Sequence, residues 1–102
     1  MNYILDDNIV KACAGIVGAS PDTEPYRSAI LQAEQTIGAD FAQGAQGSRE
    51  RLIKSVKLNL VNRKENPFED LRRRYDLPIG KNGFADEKKK FCYQLAKNLG
   101  MI

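Results

Sequence analysis

The chain has 102 residues, of which 42% are hydrophobic and 28% are charged, and its formal net charge is +3. These values are typical of a single folded domain and exclude a wholly disordered chain. The sequence contains no His and only two Cys, so it lacks the commonest general base, the commonest zinc ligand and any dense disulfide framework. We therefore expect one domain over residues 1–102 that is not an enzyme and needs no cofactor.

The sequence also argues against a membrane location. No apolar run approaches the ~20 residues that span a bilayer. The first residues, Met1–Asp7, lack the basic segment that opens a secretory signal. We expect a cytoplasmic protein with no membrane partner.

Charge is distributed unevenly along the chain. Residues 1–47 carry two basic and six acidic side chains, whereas residues 48–102 carry 14 basic and seven acidic ones. The change of sign falls at a Gly-rich joint, Gly44–Gly47, between an acidic part (1–43) and a basic part (48–102). A basic half of this kind suits a polyanion. The alternative is a scatter of solvated surface charges.

Apolar residues at helical spacing predict an all-α fold of about five helices. The first covers about residues 7–17, is capped by Asp6 or Asp7, and buries one apolar face. That face comprises Leu5, Ile9, Ala12, Cys13, Ile16 and Val17. The second begins between Ser20 and Pro25 and carries one stripe: Tyr26, Ala29, Ile30, Ala33, Ile37 and Phe41. Gly38 either ends this helix or is tolerated within it.

Three further helices are predicted in the basic part. Ser48 can cap a helix that runs to about Arg63, and apolar residues outside its main stripe predict that it is the most enclosed. Asn66, Pro67 and Glu69 form a capping-box pattern for a helix that ends near Asp76. After a loop, Leu77–Gly83, the last helix covers about Phe84–Leu99, and Gly100 suits its C-terminal cap.

The basic residues are the candidates for ligand contact. Arg73 and Arg74 follow Glu69 and Asp70 by four residues, which predicts helical ion pairs and leaves Arg72 the most available arginine. On the last helix, cations alternate with an aromatic and an amide, a mixture that suits nucleic acid, since lysines neutralise phosphates and amides or rings meet bases. A solvated lysine face is the alternative. The candidate binding residues are Arg72, Lys81, Asn82, Lys88, Lys89, Lys90, Tyr93 and Lys97.

The two cysteines, Cys13 and Cys92, both fall within apolar helix faces. A thiol in that position behaves as a small hydrophobic group. Without a His, neither cysteine can belong to a Cys–His pair. We expect both to be buried structural residues.

The C-terminal third resembles a known family. The stretch Asn66–Ile79, with its Arg-rich helix, and the ending Lys89–Met101, with Leu-Ala-Lys-Asn-Leu-Gly, are similar to the tails of small regulators encoded by firmicute phages and prophages. Those proteins resemble late-gene transcription activators with a sigma-factor-like helix-turn-helix. The resemblance implies that the last helix is the recognition helix. The positions nearest the DNA groove would be Lys81 and Asn82 in the loop before it, and Lys88 and Lys89 within it. The loop Leu77–Gly83 is longer than the usual turn of that motif.

Two functions from different classes follow. The first is a small nucleic-acid-binding regulator, encoded by a phage or mobile element, with DNA favoured over RNA as its partner. The second is a protein-interaction module that docks on a host protein or on a second copy of itself. The acidic half and the apolar surface of residues 52–61 favour the second function.

Overall fold

A computed structural model describes residues 5–38 and 46–102 of the chain. These residues form five helices and no strand: α1 (Asp7–Gly18), α2 (Tyr26–Glu34), α3 (Gln46–Val61), α4 (Phe68–Tyr75) and α5 (Lys81–Asn98). The predicted all-α class is confirmed. The radius of gyration is 12.9 Å, which matches the ~13 Å of a compact domain of about 100 residues. Phe41 and residues 44–45 of the predicted Gly-rich joint lie outside the described residues. Residues 46 and 47 belong to α3, so this half of the joint was predicted wrongly.

The last helix occupies the centre of the packing. α5 packs against α1, α2 and α3, while α4 packs mainly on α3. α3 also packs against three helices, namely α1, α4 and α5. It therefore shares with α5 the enclosure that was predicted for α3 alone. The largest fully buried side chains come from the turn after α2 and from α3, α4 and α5: Ile37, Leu52, Val56, Leu71, Phe91 and Leu95.

The first helix begins as predicted, but its buried face is shifted. Asp6 caps it, with its carboxylate accepting from the Asn8 N–H at 2.7 Å. Cys13 and Val17 are buried, yet Ala12 is exposed, and Val10 is partly buried against the core instead. The shift arises because α1 contacts two helices, α3 and α5, so its buried arc extends to one side of the predicted stripe.

Two charged side chains, Arg49 of α3 and Glu87 of α5, bond to the turn that follows α2. The helix stops at Glu34 and a turn follows to Gly38, whose φ of 66° lies in the left-handed region that favours glycine. Arg49 of α3 donates to the Ile37 carbonyl at 2.8 Å and also to the Gln35 carbonyl. Cations stabilise the carbonyl end of a helix. Gly38 therefore lies beyond α2. Arg49, a residue of the basic part, has a structural role there.

The capping box predicted for α4 is wrong. Pro67, not Asn66, is the N-cap of α4, and no side chain caps that helix. The Asn66 amide donates instead to the Asn62 carbonyl at 3.2 Å and the Leu58 carbonyl at 3.5 Å, at the end of α3. An asparagine between two helices can serve either end, and the local pattern does not say which. Ser48 is likewise not a cap, because α3 begins at Gln46.

The connection between α4 and α5 is shorter than predicted. α5 begins at Lys81, so only residues 76–80 separate the two helices. Arg51 of α3 donates to the Tyr75 carbonyl at 2.8 Å and secures the end of α4. At the end of α5, Gly100 has a φ of 72°, and the Met101 N–H reaches the Ala96 carbonyl at 2.8 Å. This is the Schellman arrangement, so the predicted cap at Gly100 is confirmed.

None of the helices in the described ranges has the length and apolarity that a bilayer crossing requires.

Candidate nucleic-acid interface

A cavity of about 390 Å³ opens between α3, α4 and the first half of α5. We call it the α3–α5 cavity. Its lining combines three cations, one carboxylate, one amide, two phenylalanine rings and two small apolar residues. These residues are Arg63, Lys81, Lys88, Glu69, Asn59, Phe68, Phe84, Pro67 and Ala85.

Asn59 fixes one wall of the cavity. It is buried on α3, and its amide nitrogen donates to the Asn66 carbonyl at 2.8 Å. That bond turns its oxygen towards α5, where it accepts from the Lys88 ammonium at 2.8 Å. Buried polar groups need such partners, because an unpaired one costs about 1–3 kcal/mol. Asn59 thus holds the Lys88 ammonium at the cavity wall.

Lys88 is electrostatically under-compensated there. Burial lowers the pKa of Lys88 below its ordinary 10.5. The nearby Cys92 opposes this shift, and the Arg63 charge adds to it. Its hydrogen-bond partner, Asn59, is neutral. Among the described residues, neither Lys88 nor Arg63 forms an ion pair with a carboxylate. An anion that enters the cavity would supply the missing negative charge.

The rings of the cavity form a tilted aromatic pair. The centroids of Phe68 on α4 and Phe84 on α5 lie 5.0 Å apart, with 49° between the ring planes. Phe84 is buried, with 3% of its surface exposed, whereas Phe68 is half-buried. Phe68 is therefore the ring that a ligand can reach.

The beginning of α5 adds positive potential at the same place. No side chain caps this helix, and its first turn contains no acidic residue. The first turn begins with Lys81, which lines the cavity. The N–H groups of a helix start carry partial positive charge and attract anions. By contrast, α1 and α4 both have acidic residues in their first turns.

A second cavity, of about 270 Å³, lies on the other side of α5. Ala85 and Lys88 line both cavities, so the two adjoin across this one turn of helix. Lys89 joins Lys88 in the second cavity, opposite Asp7 of α1. Lys89 is exposed and makes no ion pair within the described part of the chain.

The candidate residues in the first half of α5 cluster around these cavities. Lys81 and Lys88 line the first, and Lys88 and Lys89 line the second. Asn82 is exposed beside Lys81 at the start of the helix. Four of the predicted positions thus lie within about two turns of one helix.

The candidates in the second half of α5 have a different environment. Lys90 pairs with Glu87 at 3.0 Å, and their side chains are only 19% and 14% exposed. Gln94 donates to Asn98, which in turn donates to the Ala29 carbonyl of α2. Tyr93 is half-buried and engaged with its neighbours. Lys97 is exposed, but it lies about 13 Å along the helix from Lys88.

The arginine run of α4 is exposed and only loosely held. Arg73 pairs with Asp70 at 2.8 Å, three residues away, rather than with Glu69. Arg74 lies 5.9 Å from the centre of the Tyr75 ring and has no acidic partner in the described residues. Arg72 is exposed, as expected, but it does not line the α3–α5 cavity.

Only Lys81 and Lys88 of the nine lining residues were predicted from the sequence, and the seven others, Asn59, Arg63 and Phe68 among them, were missed. A signal existed for Asn59, because it lies three residues after Val56 and seven after Leu52, within the apolar stripe of α3. A polar residue in a stripe predicts a buried partner. Nothing local indicates that Arg63 or Phe68 faces α5, since that depends on how three helices pack.

Both cysteines are buried and reduced, as expected. The Cys13 thiol donates to the Cys92 carbonyl at 3.6 Å and so contributes to the contact between α1 and α5. The side-chain hydrogen bonding of Cys13, together with burial, raises the pKa of Cys92. The thiolate is the reactive form of a cysteine, and this environment disfavours it at Cys92.

Within residues 5–38 and 46–102, no cluster of three or more His, Cys, Asp or Glu side chains is arranged to hold a metal ion. No protein-family model, curated protein or solved structure matches this chain.

Proposed function

We propose that this protein is a small, non-enzymatic nucleic-acid-binding regulator, of the kind that phages and mobile elements encode. Its ligand contacts the first half of α5 and the α3–α5 cavity. One observation carries the proposal: Arg63, from the turn after α3, converges with Lys81 and Lys88 of α5 on one cavity that contains a single carboxylate. Phosphate groups are the anions that such a cluster neutralises best in a nucleic acid.

DNA is the favoured partner. The first residues of α5, Lys81 and Asn82, are exposed at the start of an 18-residue helix. Recognition helices contact DNA through their N-terminal residues. The five residues between α4 and α5 are closer to the turn of a helix-turn-helix than the predicted loop was.

Salt dependence of DNA binding tests the proposal. Fluorescence anisotropy would follow a labelled duplex over a range of NaCl concentrations, with the wild-type chain and the double variant Arg63→Gln/Lys81→Gln. Each phosphate contact contributes about 0.9 to the slope of log K against log salt, so we expect the slope to fall by about 1.8.

The matched control is Lys11→Gln/Arg27→Gln, which removes the same charge from exposed positions of the acidic part. We expect this control to keep the wild-type slope. Absence of binding to any oligonucleotide at low salt would refute the proposal. An equal loss of slope in both double variants would show that only overall charge matters.

A specific observation also favours the second function, self-association. Val61 is 46% exposed, and it lines a groove between α1 and α3 together with Val17, Ile53 and Leu58. A second copy of the chain would cover these apolar side chains. Sedimentation velocity at increasing concentration tests this function: a dimer that Val61→Asp dissociates supports it, and a monomer at every concentration contradicts it.

A further inference from the structure

We infer that the α3–α5 cavity accepts one unpaired nucleotide, with its base against Phe68 and its phosphate among Arg63, Lys81 and Lys88. This inference rests on the proposed function and specifies the form of nucleic acid that the site prefers, namely a single strand or a locally opened duplex.

The shape of the cavity favours an unpaired nucleotide over a paired one. Its volume of about 390 Å³ is at the low end of the range for pockets that hold one small ligand. The major groove of a duplex, about 12 Å wide, instead receives a helix that projects from the protein. The rings of this cavity, Phe68 of α4 and Phe84 of α5, line a recess beside α3, and a base that has left its stack can enter such a recess.

The chemistry of the lining matches the parts of a nucleotide. Aromatic side chains beside a basic groove are the usual platform for single strands, because every base has a π-face that stacks. The buried Phe84 ring packs against Phe68 with the ring centroids 5.0 Å apart, so the accessible ring is held in place. Glu69 suits the amino group of a base, which donates to carboxylates, while the three cations suit the phosphate.

The second cavity indicates where the strand continues. The two cavities share Ala85 and Lys88, so a chain that leaves the first cavity crosses this turn of α5 towards Lys89. A polymer can use both cavities at once, whereas a free mononucleotide fills only one. The ligand is therefore a nucleic-acid strand and not a nucleotide cofactor.

The experiment compares a labelled single strand of about 12 nucleotides with the duplex of the same sequence, by fluorescence anisotropy at one low salt concentration. We expect the wild-type chain to bind the single strand more tightly. Phe68→Leu keeps an apolar side chain but removes the stacking surface. We expect it to weaken single-strand binding about tenfold and to leave duplex binding nearly unchanged.

A second variant keeps the test valid if Phe68→Leu does not fold. Ala85 is exposed and lines both cavities, so Ala85→Leu narrows them without a change of charge. Its control is Ala12→Leu, at an exposed position of α1 that lines neither cavity. We expect Ala85→Leu to weaken single-strand binding and Ala12→Leu to leave it unchanged.

The outcomes separate this inference from the proposed function. Equal affinity for single strand and duplex, unaffected by Ala85→Leu, would overturn the inference. The proposed function would survive that result if Arg63→Gln/Lys81→Gln still lowered the salt slope. No binding of either probe would overturn both.

Discussion

The two halves of α5 contain similar residues in different environments. In residues 81–89, Lys81 and Lys89 have no acidic partner among the described residues, and Lys88 is held by the neutral Asn59. In residues 90–98, Lys90 is paired with Glu87 and Gln94 is bonded to Asn98. The first half borders two cavities, whereas side chains of the second half bond to their neighbours and to α2. The availability of a lysine thus depends on its partners, which lie on the same helix for Lys90 and on α3 for Lys88.

The largest expected effect tests whether the second half of α5 is a packing element. Leu95 is fully buried, so Leu95→Ala should lower the free energy of unfolding by about 2–5 kcal/mol. Urea denaturation followed by circular dichroism measures this loss. Lys81→Ala, at an exposed position of the first half, should change stability by less than about 0.5 kcal/mol. Similar losses in both variants would remove the distinction between the halves.

A smaller effect is expected at Glu87, which joins α5 to the turn after α2. Its carboxylate accepts from the Gly38 N–H at 3.0 Å and pairs with Lys90 at 3.0 Å. Glu87→Ala leaves a buried donor and a largely buried ammonium without partners, so it should cost about 1–3 kcal/mol in the same denaturation experiment. Glu87→Gln keeps an oxygen acceptor for Gly38 and should cost less. Lys89→Ala, at an exposed position, is the control. If Glu87→Ala lost no more stability than Lys89→Ala, the ion pair with Glu87 would not hold Lys90 in place.

The smallest effect concerns the pH dependence of stability at Lys88. Burial lowers the pKa of Lys88 below 10.5 in the folded protein, so between the two values the unfolded chain binds more protons than the folded one. The free energy of unfolding therefore rises with pH in that window, which closes near 10.5. We expect the stability of the wild-type chain relative to Lys88→Gln to increase as pH approaches 10.5.

Urea denaturation of the two proteins at matched pH values measures this difference, since groups such as Cys92 and Arg63 are common to both. A difference that stays constant up to about pH 10.5 would show that Lys88 is as well solvated as an ordinary surface lysine.

The helices could be predicted from the sequence because periodicity and turn residues are local signals. Gly100 is an example: its position after the last apolar residue predicts a left-handed cap, and a φ of 72° confirms it. Asn66 shows the limit of local patterns. It has the spacing of an N-cap, yet its amide serves the preceding helix, because Asn59 and the end of α3 lie within its reach.

The candidate site could be predicted only in part. Lys88 follows from the basic pattern of the last helix and Lys81 from the loop predicted before it. Arg63 and Phe68 join them only through the way α3, α4 and α5 pack. Lys90 differs from Lys89 because it has a carboxylate partner. Its partner Glu87 lies three residues away on the same helix, but the contribution of that ion pair to stability depends on how deeply the pair is buried.

The most direct test of the difference between the halves is a map of backbone amide chemical shifts on titration with a short single-stranded DNA. If the first half of α5 is the binding surface, the largest changes will fall on residues 81–89 and on Asn59, Arg63 and Phe68, while residues 93–98 change little. Changes centred on Tyr93 and Lys97, with residues 81–89 unaffected, would contradict the account.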